Sequence, residues 1–138
     1  MPAAAPALPL HITIDATTLR GLPVQTLDAA GEHAGTAHYS GVSLRDLLTR
    51  AGIPTGHDLN GKGMQTIVVI DASDGYRVAF SLSELDPSFT DRIVLIADHR
   101  DGALLPAREG PYRLVVPGEK REGRWVRGVT GIDVEAAP

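Results

Sequence analysis

The sequence predicts an α+β domain built on a mixed or antiparallel sheet, and three observations carry that expectation. Glycine and proline are frequent, at 15 and 10 residues, and such a density of turn formers divides a chain into short elements rather than long helices. Apolar residues recur in short β-branched runs at 66–70, 92–97 and 112–116, each too short for a helix. Only one segment has clear helical periodicity, so strands do not alternate with long helices as they do in a doubly wound sheet.

In chain order, residues 1–9, rich in Ala and Pro, are expected to form a flexible lead, and residues 10–138 a single domain. Residues 11–14 alternate polar and apolar positions and read as a strand at a sheet edge, as do residues 24–27. Residues 28–38 have no clear period and contain Gly31 and Gly35, so a loop or weak hairpin is expected. Ser43 then opens the one clear helix. Its hydroxyl caps the first turn, with Asp46 standing where a capping box has Glu. Leu44, Leu47, Leu48 and Ala51 follow at the spacing of one buried face, and Gly52 and Pro54 stop the helix, giving bounds of about 43–51.

Residues 66–70 read as a buried strand, 71–75 as a turn and 76–81 as a returning strand with Val78 and Phe80 on one side, which predicts a hairpin. Ser81 or Ser83 caps a short helical turn through Glu84 and Leu85, closed by Pro87. A strand at 92–97 follows, then a two-residue turn at Asp101-Gly102 leading into 103–105. The strand at 112–116 stops at Pro117-Gly118, and residues 125–134 return as a strand with Val126, Val129, Ile132 and Val134 apolar. Five to seven strands result, with one clear helix and one or two short ones. No internal repeat stands out.

A chain of 138 residues supports one core and not two. Its 43% hydrophobic and 22% charged residues are those of a folded soluble domain. With one Trp, three Tyr and two Phe, that core must rest on Leu, Val, Ile and Ala. No apolar run reaches the roughly 18 residues of a membrane span, so no membrane insertion is expected. Net charge is −4 and the pI near 5.6, which argues against a nucleic-acid partner. The charge is uneven: residues 108–127 hold six basic and three acidic side chains. A local cationic surface on an acidic protein suits a small anion better than a polyanion.

The loop after Pro117-Gly118 gathers Lys120, Arg121, Arg124 and Arg127 around the only tryptophan, Trp125. A guanidinium is a rigid fork of donors matched to phosphate, so Arg124 and Arg127 beside a glycine-bearing loop form a candidate anion cradle, and Trp125 a candidate stacking surface for a flat heterocycle. Being three apart, the two arginines share a face if the segment is helical and oppose each other if it is extended. The alternative reading is a solvated charged loop with Trp125 in the core.

Four runs occur in order: Tyr39-Ser-Gly-Val-Ser-Leu-Arg-Asp-Leu-Leu48, Leu95-Ile-Ala-Asp-His-Arg-Asp-Gly-Ala-Leu-Leu-Pro106, Gly110-Pro-Tyr-Arg-Leu-Val-Val-Pro-Gly118 and Gly123-Arg-Trp-Val-Arg127. Together they resemble the molybdopterin-binding domain of the sulfite oxidase family. The resemblance implies that family's fold, a molybdopterin cofactor, and a phosphate-bearing pterin held by the basic loop. It sets Arg124 at the family's loop arginine and Arg127 where the family has lysine, with Lys120 and Arg121 beside the motif.

One departure limits the resemblance. Family members bind molybdenum through a cysteine ahead of the Tyr39-type motif, and this chain contains no cysteine. Asp28 or Ala29 falls near the ligand position, and Met64 offers only a neutral thioether. Sulfite-type oxygen transfer is therefore not expected. Two functions remain: a molybdopterin-binding-like protein, or a non-enzymatic module on the same fold that binds another small anion or a partner protein.

The histidines (His11, His33, His38, His57, His99) lack zincin spacing, and only His33 and His38 share a loop that could meet a metal. Ser73, Asp98 and His99 are hydrolase residue types without a Gly-x-Ser-x-Gly elbow, and Gly61-Lys62-Gly63 lacks the rest of a P-loop. The lead is compatible with a mature exported, periplasmic chain after removal of a signal peptide, or with a cytoplasmic one.

Overall fold

The buried run predicted around residue 68 becomes the centre of one sheet in the computed structural model, which describes residues 5–31 and 35–138. This strand, β4 (Thr66–Ala72), buries Val68 and Ile70 completely. It pairs with β5 (Arg77–Ser81) on one side and β9 (Val129–Ala136) on the other, and β9 carries β1 (Leu10–Thr13) at the edge. The second sheet runs β2 (Val24–Ala30), β3 (Thr36–Ser43), β6 (Leu95–Arg100), with β7 (Ala103–Leu104) and β8 (Arg113–Val115) sharing the far side of β6. Every pairing among the described residues is antiparallel, the second of the two expected sheet types.

Both sheets contribute to a single apolar core. Ile132 and Val134 of β9 join Val68, Ile70 and Phe80 from the first sheet and Leu95, Ile96 and Leu114 from the second. Burying each such side chain stabilises by about 1.5–3 kcal/mol. Helix α2 (Leu44–Arg50) covers this core with Leu44, Leu47 and Leu48, the face read from the sequence. Its cap is simpler than predicted. Ser43 Oγ accepts from the Asp46 amide at 3.4 Å, but the Asp46 carboxylate accepts from Gln25 Nε2 at 3.0 Å, so the reciprocal half of the box does not form. A complete box forms instead at Ser81 and Glu84, over the 3-10 turn Leu82–Leu85.

Several boundaries differ from expectation. Of the two readings of residues 28–38, loop or weak hairpin, the described residues follow the hairpin and lengthen it: β2 extends through Ala30 and β3 starts at Thr36, in a register that pairs Asp28 with His38. The predicted strand at 92–97 lies later, at Leu95–Arg100, because Leu95–Ala97 finds β8 as a partner. Residues 125–128 are not strand; the last strand starts at Val129, with a single bridge from Arg127 to Arg113 before it. A short helix α1 (Ala16–Leu19), capped by Asp15, was not predicted because four residues carry no period. At the β3–β6 contact the register shifts between Ser40 and Gly41, and a Cβ built on Gly41 would collide with the Ile96 carbonyl. Glycine is required there by close backbone approach. Among the described residues no helix is long and apolar enough to cross a membrane.

Candidate functional site

Gly118 takes a positive φ of 85° after Pro117 and starts the loop that leads back to β9. Backbone hydrogen bonds fasten this loop to the fold: Leu114 N–H to Val126 O at 2.9 Å, Trp125 N–H to Glu122 O at 3.0 Å and Gly128 N–H to Glu109 O at 3.0 Å. They hold Trp125 inward, 4% exposed, where its Nε1 donates to the Val116 carbonyl at 2.9 Å and Tyr39 meets its ring edge-on at 5.8 Å. The Arg113 guanidinium covers the ring, with Cζ 5.3 Å from its centroid. Trp125 thus supports the loop from the core and also forms part of the wall of a cleft of about 280 Å³.

Arg124 and Arg127 follow the opposed arrangement. Arg124 turns toward the first sheet and lies over the Phe80 ring, Cζ 4.0 Å from the centroid. It donates to Glu119 from Nε at 3.1 Å and Nη2 at 2.6 Å, to Glu84 from Nη2 at 3.0 Å, and to the Ala79 carbonyl from Nη1 at 3.0 Å. The hydrogen bond to Glu119 leads the causes that raise its pKa above the ordinary arginine value. Glu119 is lowered, chiefly by the same bond; burial pushes Glu84 up, but Arg124 and the Ser81 amide outweigh it and leave Glu84 lowered as well. The structure thus places Arg124 apart from Arg127, with its donors on Glu119, Glu84 and the Ala79 carbonyl of the chain itself. Lys120 and Arg121 are exposed and line neither cleft described next.

Arg127 lies elsewhere. Its side chain is exposed, forms no ion pair among the described residues, and lines two adjoining clefts of about 280 and 240 Å³. Arg113 and Glu122 line both as well. The smaller cleft adds Arg100, Arg108 and Glu109, so four guanidinium groups face two carboxylates, with Tyr39 and Gly31 completing the wall. Glu109, 3% exposed, accepts from Arg100 Nη1 at 3.0 Å and from Arg113 Nη1 at 2.5 Å. Glu109 and Glu122 together offset Arg113 and Arg100, so the excess positive charge of the cleft is carried by the exposed Arg108 and Arg127 at its mouth. Arg113 is itself 5% exposed, and its Nε is a buried donor with no acceptor among the described residues.

Arg100, Arg108 and Arg113 were missed as site residues although Arg100 and Arg113 lie inside the quoted motifs. A usable signal existed: Arg113 interrupts an otherwise apolar strand, and a buried charge in such a run needs a partner.

The remaining candidates do not converge. Asp28 is hydrogen-bonded to His38 Nδ1 at 2.7 Å, Ala29 is buried and carries no donor atom, and Met64 lies in a 3-10 turn that lines neither cleft. His33 lies outside the described residues. His57 is exposed, and His99 bonds its neighbour Asp98. Ser73 sits in the β4–β5 turn, whereas Asp98 and His99 are on β6 of the other sheet. A grouping that the sequence did not suggest forms on β1, β4 and β9, where His11, Asp71 and Asp133 bring ligand-type atoms within 4.8 Å of one another. Arg77 already bonds both carboxylates, at 2.5 and 3.3 Å. Burial and the bond to Asp133 raise the Asp71 pKa.

Comparison with curated proteins finds no match. The family described as the oxidoreductase molybdopterin binding domain matches residues 12–138, the whole of both sheets apart from the first residues of β1. With nearly the full chain covered, this protein belongs to the oxidoreductase molybdopterin-binding domain family.

Proposed function

We propose that this domain holds the organic, phosphate-bearing part of a molybdopterin-type cofactor and contributes no metal ligand of its own. The observation that carries the reading is the cleft lined by Arg100, Arg108, Arg113 and Arg127 with two carboxylates, in which, among the described residues, a buried donor on Arg113 and the guanidinium of Arg127 have no partner. Guanidinium forks match phosphate oxygens in pairs, and the excess charge favours an anion over a neutral ligand.

The donor set fits the cofactor's phosphate and not its metal. Molybdenum in such cofactors is held by soft sulfur, and the chain supplies no thiolate. At the two positions nearest the expected ligand, Asp28 is engaged with His38 and Ala29 has no donor. Binding, orientation and charge neutralisation are therefore the roles assigned to the domain's residues: Arg127 and Arg108 meet the anion at the surface, while Arg113 and Arg100, fixed by Glu109, supply the field behind it. No oxygen-transfer step is assigned to this chain.

Production in a host that makes molybdenum cofactor, followed by assay of bound metal and of pterin released by oxidation, tests this. Stoichiometric pterin that falls in an Arg127→Ala variant supports the reading. Absence of both pterin and molybdenum removes it. The second reading, a non-enzymatic module for another small anion or a partner protein, is favoured by the lack of any thiolate and by the self-satisfied Arg124. It predicts phosphate binding at the same arginines with no pterin recovered.

A further inference from the structure

Glu122 lines both clefts. Its Oε1 lies 3.7 Å from Arg113 Nη2, and the same oxygen occupies the space where a Cβ on Gly31 would be, so the carboxylate rests against bare backbone of the β2–β3 hairpin. Only glycine at position 31 leaves room for it there. Arg113 cannot move to accommodate a different geometry, because Glu109 holds its Nη1 and Trp125 packs on the guanidinium. Nη2 of this fixed, buried guanidinium thus already faces a carboxylate at ion-pair distance, carried at the end of a rotatable side chain.

We infer that Glu122 is a built-in competitor for the anion seat: its carboxylate occupies the position beside Arg113 that a bound anion needs, and it swings out when that anion enters. This rests on the reading of the cleft as an anion site. Because Glu122 lines both clefts, its displacement enlarges the space beside Arg113 on either side. It also sets the ligand class. A singly charged carboxylate replacing Glu122 exchanges one like group for another, whereas a phosphate dianion brings more charge and three acceptor oxygens to Arg113, Arg127 and Arg100. The seat therefore selects a phosphate group and discriminates against simple carboxylates.

The test is titration of the full chain with inorganic phosphate, and separately with acetate, followed by Trp125 fluorescence and calorimetry at constant ionic strength. Two variants relieve the competition by independent routes. Glu122→Gln removes the charge, and Gly31→Ala expels the carboxylate by steric contact with the end of a flexible side chain. Both are expected to bind phosphate about tenfold more tightly than the wild type, with acetate weaker than phosphate throughout. Equal phosphate affinity in all three proteins overturns the competitor role and leaves the anion cleft standing. Tightening in Glu122→Gln alone marks a general charge effect and likewise overturns it, as does acetate binding as tight as phosphate. No phosphate response in any of the three proteins removes the cleft reading and the competitor with it.

Discussion

Arg124 grips Glu119 with two donors, Nε at 3.1 Å and Nη2 at 2.6 Å, while the same Nη2 reaches Glu84 at 3.0 Å. The loop that ends β8 is thereby tied to the turn that follows β5. Arg92 adds to the group, 3.7 Å from Glu84 and 3.8 Å from Glu119. Replacing Arg124 with Met leaves two partly buried carboxylates facing each other. The expected cost is about 2 kcal/mol, below that of a fully buried pair because both acids retain contact with water. Urea unfolding at pH 7 measures it; phosphate affinity should be unchanged, and a stable variant that loses phosphate binding would return Arg124 to the ligand site.

The pH dependence of that clamp has a definite sign. Glu84 and Glu119 both have folded pKa values below the ordinary glutamate value of 4.5. A depressed carboxylate stabilises fully above its unfolded pKa, and the contribution is lost as pH falls through the folded one. The stability difference between wild type and Arg124→Met should hold from pH 7 to about 5 and shrink below 4.5. Unfolding curves at pH 7, 4.5 and 3 report it, and a difference that does not change with pH contradicts the assignment.

Arg127 is exposed and unpaired among the described residues, so Arg127→Ala should alter stability by less than about 0.5 kcal/mol. Its effect belongs to binding. Phosphate affinity should fall about five- to tenfold, and the loss should diminish as salt is raised, since part of the attraction is screened. Calorimetric titration at two ionic strengths checks both.

Gly41 lies at the irregularity between β3 and β6, where any side chain meets the Ile96 carbonyl and the Ala97 backbone. Gly41→Ala should cost about 3 kcal/mol, because the obstacle is main chain and not a rotatable side chain. Chemical denaturation measures the loss, and a near-neutral result means that the two strands can separate locally.

Much of the fold was legible because it depends on local patterns. The 43–51 helix follows from the spacing of Leu44, Leu47 and Leu48, and the hairpin from the turn residues at 71–75 between two apolar runs. The β2–β3 hairpin was legible only as one of two readings, since Ala29, Ala30 and Gly31 offer no alternation, and its extent and register are decided by the neighbouring strand. The end of the domain misled for a related reason. Trp125 and Val126 are buried as strongly as strand residues but sit in a loop fastened by bonds to Val116 and Leu114. Burial alone does not specify extended backbone.

By itself the sequence determined that the chain offers no thiolate, that its basic residues gather between 108 and 127, and that four runs in order mark its family. Tertiary structure alone decided which of those cations face a cleft. Helix periods and turns are written over a few residues, but the partner of a guanidinium is whichever carboxylate the fold brings within about 4 Å. Arg124 finds Glu84, 40 positions away; Arg127 finds none among the described residues, and Arg100 and Arg113 meet at Glu109.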